Sequence, residues 1–302
     1  MENKQQEQME KFSEKSKNVI LKGWTLNKIK KMSTSKIMEK LNSLDIEFGE
    51  KSFREQAEDY ISAIELAEDC YHTRDYDADD DDFIWLAIIE LWNRFMPDKI
   101  NVEMIDDAMQ EGYNDLENKD YNGGLEKWNK VWIMTKTIVP SYITSVGEVD
   151  DFMYNLLSQF IINWCQDYDM ELESAGLKDE SYSIKRIEYC REFRQLFPDS
   201  DDLTIQNMIR GEAESYAMLG DVNAAEKLFE EFIAEYPDDP WGYIGWGDMY
   251  VWPAYRKVPK DLDKAERIYR KGLEVCSYDE DVIIDRLKRM GDYSDSVDRQ
   301  GR

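Results

Sequence analysis

The sequence predicts an all-α fold, and three observations lead to that prediction. Apolar residues recur at the three- and four-residue spacing of an amphipathic helix, as at Phe83, Ile84, Ile88 and Trp92. No segment shows a convincing alternation of polar and apolar residues, which is the pattern of a half-buried strand. Only 15 Gly and 7 Pro interrupt the 302 residues, too few turns for a many-stranded sandwich or barrel.

The same spacing predicts helices along most of the chain. The helix that begins at Phe83 is predicted to end before Pro97, which cannot continue it. The other predicted helices are Ser35–Leu44, Phe53–Tyr71, Val102–Glu117, Gly123–Thr137, Asp151–Glu173, Ile184–Phe197, Leu203–Leu219, Val222–Tyr236, Trp241–Trp252, Leu262–Cys276 and Asp279–Met290. They indicate four regions: a basic leader (1–32), an N-terminal helical region (33–101), helical repeats (102–290) and a polar tail (291–302).

The charge of the chain is unevenly distributed and argues against one class of partner. With 38 Lys+Arg against 65 Asp+Glu, the net charge is −27, which repels phosphate backbones and disfavours nucleic-acid binding by the acidic body. Residues 1–40 hold ten Lys and five Glu, a net +5, so subtracting that from −27 leaves −32 for residues 41–302. An apolar content of 42%, with 13% aromatics, is nevertheless typical of a folded chain.

Three features of the sequence predict a cytoplasmic protein. No apolar run approaches the ~20 residues of a membrane-spanning helix. Residues 1–10 lack the apolar centre of a secretory signal. The four cysteines, Cys70, Cys165, Cys190 and Cys276, are scattered, which favours free thiols in a reducing compartment over disulfides or zinc ligands.

A basic segment at residues 17–32 carries apolar residues among its lysines, including Trp24 and Ile29. It has two interpretations. One is an amphipathic arm that contacts an acidic membrane surface or nucleic acid, and the other is a leader whose apolar side docks on the acidic body. Gly23 and the irregular apolar spacing favour docking.

Three segments of the chain repeat one another, beginning at Asp120, Asp221 and Asp261, each a good helix N-cap. A small residue stands at the fifth place of each segment and a large aromatic at the ninth. These pairs are Gly124 with Trp128, Ala225 with Phe229, and Ala265 with Tyr269. A small residue opposite a large one lets two helices approach closely and interlock, so the segments predict packed helical pairs.

Residues 203–277 resemble the tetratricopeptide repeat, whose 34-residue unit consists of two helices, A and B. That unit has large residues on helix A, a Gly-Asp turn, a small residue and an aromatic on helix B, and a closing proline. The matching residues are Ile209, Ala213, Tyr216, Gly220, Asp221, Ala225, Phe229 and Pro237 in one unit, and Tyr243, Trp246, Gly247 and Tyr250 in the next. Tyr216 and Tyr250 lie 34 residues apart, whereas Ala225 and Ala265 lie 40 apart, which predicts about six extra residues near 251–257.

The resemblance continues more weakly over Val102–Ile138 and Asp151–Pro198. The helix order of Met32–Met290 is also similar to a bacterial group of tetratricopeptide-like proteins that often carry a SEC-C zinc motif. That motif needs a C-x-C and a Cys-Cys pair, and neither occurs here, so no zinc site is implied. The resemblance implies a right-handed α-solenoid, and the sequence predicts no cofactor.

In tetratricopeptide proteins, side chains of helix A line a concave groove that holds a protein segment. The residues that the resemblance places in this groove are Asn207, Arg210, Glu214, Trp241, Asp248 and Trp252. The clamp with which one subgroup holds two carboxylates is not matched, since only Arg210 could contact an acid. Trp241 and Trp252 are the type of anchor enriched in binding hot spots. The alternative is that both pack against a neighbouring helix or the extra residues.

Residues able to carry catalysis are few. His72 is the only histidine, which excludes every site that needs two imidazoles, and its neighbours predict an exposed polar loop. Asp75–Asp82 begins like a calcium loop, but Asp80 stands where glycine is required and Leu86 where a bidentate Glu is required. We therefore expect a solvated acidic loop that supplies negative charge to the start of the Phe83 helix. No phosphate-binding loop or dinucleotide motif occurs, and we predict neither enzymatic activity nor a metal site.

These observations predict a cytoplasmic, non-enzymatic scaffold or adaptor that binds a basic or amphipathic protein segment on the concave face of its repeats. The alternative is a regulatory sensor whose basic arm, residues 1–32, contacts nucleic acid or a membrane. The sequence leaves the identity of the partner and the oligomeric state open.

Overall fold

The computed structural model describes residues 23–72, 74–153 and 156–300, with side chains placed as far as Met290. Over these ranges the chain is all-helical, as predicted, with fifteen α-helices and no strand. The helices are α1 (Leu26–Lys30), α2 (Thr34–Ser43), α3 (Glu50–Ala57), α4 (Ala63–Leu66), α5 (Ala78–Phe95), α6 (Val102–Glu117), α7 (Tyr121–Ile138), α8 (Val146–Phe152), α9 (Ile161–Gly176), α10 (Glu180–Leu196), α11 (Asp202–Leu219), α12 (Val222–Glu235), α13 (Pro240–Asp248), α14 (Leu262–Val275) and α15 (Glu280–Gln300). A π-helical turn, Ala67–Tyr71, follows α4, and a 3-10 turn, Pro253–Tyr255, lies between α13 and α14. None of the described helices is both long enough and apolar enough to cross a lipid bilayer.

The chain divides into two compact units. Unit 1 takes the described residues of Met1–Glu111, Asn129–Ile138 and Asn155–Ser158. Unit 2 takes those of Gly112–Trp128, Val139–Tyr154 and Gln159–Arg302. Helices α6 and α7 each contribute residues to both units.

Helix α5 is the centre of unit 1. Its Phe83, Ile88 and Trp92 side chains are fully buried, and α1, α2, α4 and the π-helical turn pack around it. The helix begins at Ala78 because the Asp77 carboxylate accepts a hydrogen bond from the main-chain N–H of the first turn. The expected loop over Asp75–Asp82 is therefore wrong after Asp77, because the helix begins at Ala78 and not at Phe83. The acids Asp79–Asp81 form its first turn, where their charge is favourable to the helix dipole, as expected.

The described part of the basic leader packs onto unit 1. Ile29 of α1 is fully buried, and the Trp24 ring meets the Phe83 ring edge-on at a centroid distance of 4.9 Å. Arg94 at the end of α5 donates hydrogen bonds to the main-chain carbonyls of Lys30 and Met32, which fixes the end of α1. The apolar side of residues 24–32 is thus docked, while residues 1–22 of the predicted leader lie outside the described residues.

Unit 2 is a succession of helices in which each packs against the next from α8 to α15. The odd-numbered helices α9, α11, α13 and α15 also contact one another in order. We call these four helices the A row, and the helices between them, α10, α12 and α14, the B row.

The repeated segments of unit 2 fold as their spacing predicts. The side chains of Asp120, Asp221 and Asp261 each accept a hydrogen bond from the main-chain N–H three residues later, so all three begin a helix. Glycines admit the large aromatics: a Cβ added at Gly112 would lie 2.2 Å from Trp128, and one at Gly247 would lie 2.3 Å from Tyr269. The aromatic side chains Trp128, Phe229 and Tyr269 are buried.

The predicted helix Phe53–Tyr71 is wrong, because the chain forms two helices there. Helix α3 ends at Ala57, and Ser62 caps α4. The Glu103 carboxylate also accepts hydrogen bonds from the main-chain N–H groups of Ala63 and Ile64. Because Glu103 lies forty residues from Ala63 in the chain, the apolar spacing around the helix start does not reveal this cap.

The predicted helix Asp151–Glu173 is also wrong. Helix α8 ends at Phe152 and α9 begins at Ile161, because the Asp150 carboxylate accepts hydrogen bonds from the main-chain N–H groups of Ile161 and Ile162. The predicted helix Trp241–Trp252 ends early, at Asp248, and the last predicted helix runs on from Met290 to Gln300. The extra residues predicted near 251–257 are present as the turn that contains Pro253–Tyr255.

Candidate functional site

The predicted groove residues lie on the A row and the turn that follows it. Asn207, Arg210 and Glu214 project from α11, Trp241 and Asp248 from α13, and Trp252 from the turn after α13. All six are partly exposed. The structure joins them to neighbouring helices in two clusters, which are described in turn.

The first cluster links α9, α11 and α13. The Asn207 side-chain amide donates to the Gln166 oxygen at 3.2 Å and accepts from Arg210 at 3.1 Å. The Arg210 guanidinium lies over the Trp241 ring, 5.1 Å from its centroid. The Trp241 indole N–H donates to Asp279 at 3.1 Å. These side chains therefore present an arginine–tryptophan stack whose orientation is fixed by the protein itself.

A buried ion cluster lies beneath this stack, with Arg186 of α10 at its centre. Its guanidinium, 2% exposed, pairs with both Asp169 oxygens at 2.8 Å and with Glu173 and Glu214 at 3.2 Å each. The Cys190 thiol donates to the same Asp169 carboxylate at 3.2 Å. One buried cation is thus shared by three carboxylates, and a second cation, Arg210, lies 3.7 Å from one of them, Glu214.

Burial has the largest influence on the pKa of the Glu214 carboxyl. It raises the pKa of the Glu214 carboxyl above its usual value, although Arg186 and Arg210 oppose the shift. The Asp248 carboxyl behaves alike: burial raises its pKa, although Tyr269 and Arg286 oppose the shift. Both acids project from successive A-row helices, α11 and α13, and both are partly buried there.

The second cluster links α13, α14 and α15. Asp248 accepts hydrogen bonds from the Tyr269 hydroxyl at 2.6 Å and from Arg286 at 3.0 Å. Two guanidinium groups lie over the Trp252 ring: Arg286 at 5.4 Å and Arg289 at 6.0 Å from its centroid. This is a second arginine–tryptophan stack, of which the Arg289 side chain is 59% exposed.

The extra residues between α13 and α14 pack back onto α11. Tyr255 and Val258 are buried, and Lys257 pairs with Glu180 at 2.6 Å. Burial and the Glu214 carboxylate beside it raise the pKa of the Tyr255 hydroxyl well above its usual value. The insertion is therefore part of the unit 2 core and borders the first cluster.

The groove residues predicted from the sequence include Trp241, Trp252, Arg210, Glu214 and Asp248. The prediction did not include the side chains that contact them from neighbouring elements, which are Arg186, Arg286, Arg289 and Asp279. Arg186, Arg286 and Asp169 do not match a repeat position, and acids are too common in this chain for any one to stand out. One sequence signal was that Arg186 stands on a helical face with Ile187, Tyr189, Cys190 and Phe193.

His72 and the acidic run take no part in these clusters. His72 is less exposed than predicted, because its imidazole contacts Asp81 at 2.8 Å at the end of the π-helical turn. Asp80 pairs with Lys40 at 3.0 Å. Throughout residues 23–72, 74–153 and 156–290, no group of three His, Cys, Asp or Glu side chains is arranged to hold a metal ion.

Comparisons of the chain with protein-family models, with curated proteins and with solved structures find no match.

Proposed function

We propose that the protein is a non-enzymatic scaffold that binds a protein segment along the A row of unit 2. The observation that carries this proposal is the pair of arginine–tryptophan stacks, Arg210 on Trp241 and Arg286 with Arg289 on Trp252. Tryptophan and arginine are the residue types most enriched in binding hot spots. Because intramolecular contacts already orient both stacks, little side-chain entropy is lost when a partner packs against them.

The repeat organisation of unit 2 supports the same role. Its aspartate caps, its glycine-to-aromatic contacts and its touching A-row helices are the features expected of tetratricopeptide-like repeats. We infer a right-handed α-solenoid in which the A row lines the concave side. Such stacks offer an extended surface to a partner.

The charges of this face favour an amphipathic partner segment over a purely basic one. Arg210, Arg286 and Arg289 would repel a run of lysines, whereas the tryptophan rings beneath them can accept apolar side chains. The four cysteines are free thiols, which supports the proposed cytoplasmic location.

No structural observation favours the alternative of a sensor with a basic arm. Its residues 24–32 are docked on unit 1, and residues 1–22 are not described. The alternative stays a prediction, and deletion of residues 1–22 followed by a nucleic-acid and vesicle binding assay would test it.

The scaffold proposal is tested by affinity purification of the tagged protein from its native host, followed by mass spectrometry. The test variant is Arg210→Ala with Arg289→Ala. The matched control is Lys227→Ala with Arg270→Ala on the B row, because each of these four cations has a carboxylate four residues away on its own helix. We expect a stoichiometric protein partner with the wild type and the control, reduced at least about tenfold with the test variant, equivalent to about 1.4 kcal/mol. Equal recovery with both variants, while both stay folded by circular dichroism, would contradict the proposal.

A further inference from the structure

A line of hydrogen-bonded side chains crosses the A row of unit 2. Gln166 of α9 accepts a hydrogen bond from the Asn207 amide of α11 at 3.2 Å, and its own amide nitrogen lies 3.5 Å from the Thr204 hydroxyl. Asn207 accepts in turn from Arg210 at 3.1 Å, and Arg210 lies over the Trp241 ring of α13. The line therefore passes from each A-row helix to the next, and it ends at the first arginine–tryptophan stack.

We call Gln166 and Asn207 the amide pair, and both side chains are partly exposed. A side-chain amide has two N–H donors and an oxygen that can accept two hydrogen bonds. Asn207 uses one donor on Gln166 and one acceptor site for Arg210, while Gln166 uses one acceptor site and places one donor near Thr204. Each amide therefore keeps a donor and an acceptor site, although contacts within the protein already fix its orientation.

The amide pair is uncharged, although the chain carries a net charge of −27. On the same two helices, the carboxylates of Asp169, Glu173 and Glu214 are each paired with Arg186. An uncharged amide does not select a charged side chain. Its complement is another amide, with an N–H group to donate and a carbonyl oxygen to accept, and the main chain of a peptide repeats this group at every residue except proline.

The conformation of a bound segment decides whether its main chain can reach the amide pair. In an α-helix, the inner N–H and C=O groups are already bonded to one another along the helix. An extended segment instead presents unpaired N–H and C=O groups along its edges. Main-chain hydrogen bonds of this kind supply affinity when an extended peptide is recognised. The spare donors and acceptors of the amide pair therefore match an extended segment.

We propose that the amide pair binds the main chain of an extended partner segment. The amide N–H groups donate to main-chain carbonyl oxygens of the segment, and the amide oxygens accept from its main-chain N–H groups. Side chains of the same segment pack on the stack of Arg210 and Trp241, whereas the amide pair tolerates side chains of any type. This inference rests on the proposed function, because the segment is the one that the scaffold binds along the A row.

The probe is a peptide selected from a random-sequence display library on the full-length protein, and its binding is measured by fluorescence anisotropy. The peptide taken forward is one whose affinity falls at least about tenfold with Arg210→Ala and Arg289→Ala together, so that it depends on the A row. Each inner N–H group of this peptide is then replaced in turn by N-methyl. This change removes one main-chain donor and leaves the side chains as they were.

Two double variants of the protein are compared with wild type, and circular dichroism checks that each is folded. Gln166→Leu with Asn207→Leu removes the amide pair and keeps side chains of similar size. The control, Gln195→Leu with Asn223→Leu, changes two exposed amides of the B row. The single variant Gln166→Leu replaces the first double variant if that one does not fold, with the same expected outcome.

We expect loss of the amide pair to weaken peptide binding about tenfold, and the control changes to weaken it less than about twofold. N-methylation of at least one inner residue should cost about tenfold with wild type. The same methylation should cost less than about twofold with the variant that lacks the amide pair, because the acceptor of that N–H group is already gone. This coupling separates a direct hydrogen bond from a structural effect of Asn207 on Arg210.

Three results would overturn the inference and leave the scaffold proposal in place, since the peptide still depends on the arginines. They are equal losses in the amide-pair and control variants, no loss on N-methylation at any inner residue, and equal losses on N-methylation with wild type and the amide-pair variant. The last result would indicate a segment that binds as a helix. If no selected peptide depends on the arginines, the scaffold proposal fails together with the inference.

Discussion

Unit 1 and unit 2 treat charged side chains in different ways. In unit 1, charged side chains act singly or in pairs around an apolar centre: Glu103 caps α4, and Arg94, paired with the buried Glu90, holds the end of α1. In unit 2, a complete ion cluster around Arg186 lies between three helices. A buried cluster of this kind is weak as a source of stability but sensitive to the loss of one member, and it fixes how the helices are arranged. The units should therefore respond differently to the removal of a single side chain.

The largest expected effect is in the ion cluster. Arg186→Ala leaves Asp169 and Glu214 buried without their cation, and we expect a loss of about 3–5 kcal/mol in the free energy of unfolding. Urea unfolding followed by circular dichroism measures this loss. The double variant Arg186→Met with Asp169→Leu should lose far less, because it removes charge of both signs. A loss of under about 1 kcal/mol for Arg186→Ala would show that the cluster does not hold the helices as described.

The next effect belongs to the apolar centre of unit 1. Ile88→Ala removes a fully buried side chain from α5, and we expect a loss of about 3 kcal/mol in the free energy of unfolding. Ile133→Ala, at a position in unit 1 that is 49% exposed, is the control and should change stability by less than about 0.5 kcal/mol. The same denaturant titration checks both, and similar losses in the two variants would contradict the proposed centre of unit 1.

A smaller effect tests the interlocking of the repeats. Gly247→Ala places a Cβ 2.3 Å from the Tyr269 ring, and we expect a loss of about 2 kcal/mol from overpacking. Gly147→Ala is the control, and it should raise the free energy of unfolding. A Cβ at that position meets nothing closer than 3.6 Å, and alanine favours the helix over glycine by roughly 0.5–1 kcal/mol. Thermal melts of the two variants should therefore shift in opposite directions. A stabilising Gly247→Ala would mean that α13 and α14 do not need the close approach.

The smallest effect is a pH dependence of stability in unit 2 that comes from Glu214. Burial raises the pKa of Glu214 in the folded protein, so the folded state binds a proton more tightly than the unfolded state. The Glu214 carboxyl therefore stabilises the folded protein at pH values below its pKa in the unfolded state. This stabilisation is lost as the pH rises through its raised pKa in the folded state. Compared with wild type, Glu214→Gln should become relatively more stable as pH rises from about 4 through that window. Denaturant titrations at a series of pH values check this, with exposed Glu230→Gln as the control; a flat difference for Glu214→Gln would refute it.

Much of unit 2 could be predicted from the sequence because its repeats are local signals. The aspartate caps at Asp221 and Asp261 could be identified directly as helix starts. The glycines that meet the aromatic side chains, Gly112, Gly245 and Gly247, stand on neighbouring helices and not at the fifth place of the repeated segment. The breaks after Ala57 and Phe152 could not be read in this way, since Glu103 and Asp150 cap helices at a distance. In the arginine–tryptophan stacks, Trp241, Trp252 and Arg210 stand at repeat positions, whereas Arg286 and Arg289 reach Trp252 only through the packing of α15.

The central claim, that unit 2 binds a protein segment along its A row, can be tested directly by site-specific photo-crosslinking in the native host. Benzoylphenylalanine is placed at Arg289, beside the Trp252 stack, and in a second strain at Glu230, an exposed position of the B row. The account predicts a discrete protein adduct from Arg289 and none of comparable yield from Glu230. No adduct from Arg289, or the same adducts in the same yield from both positions, would contradict it.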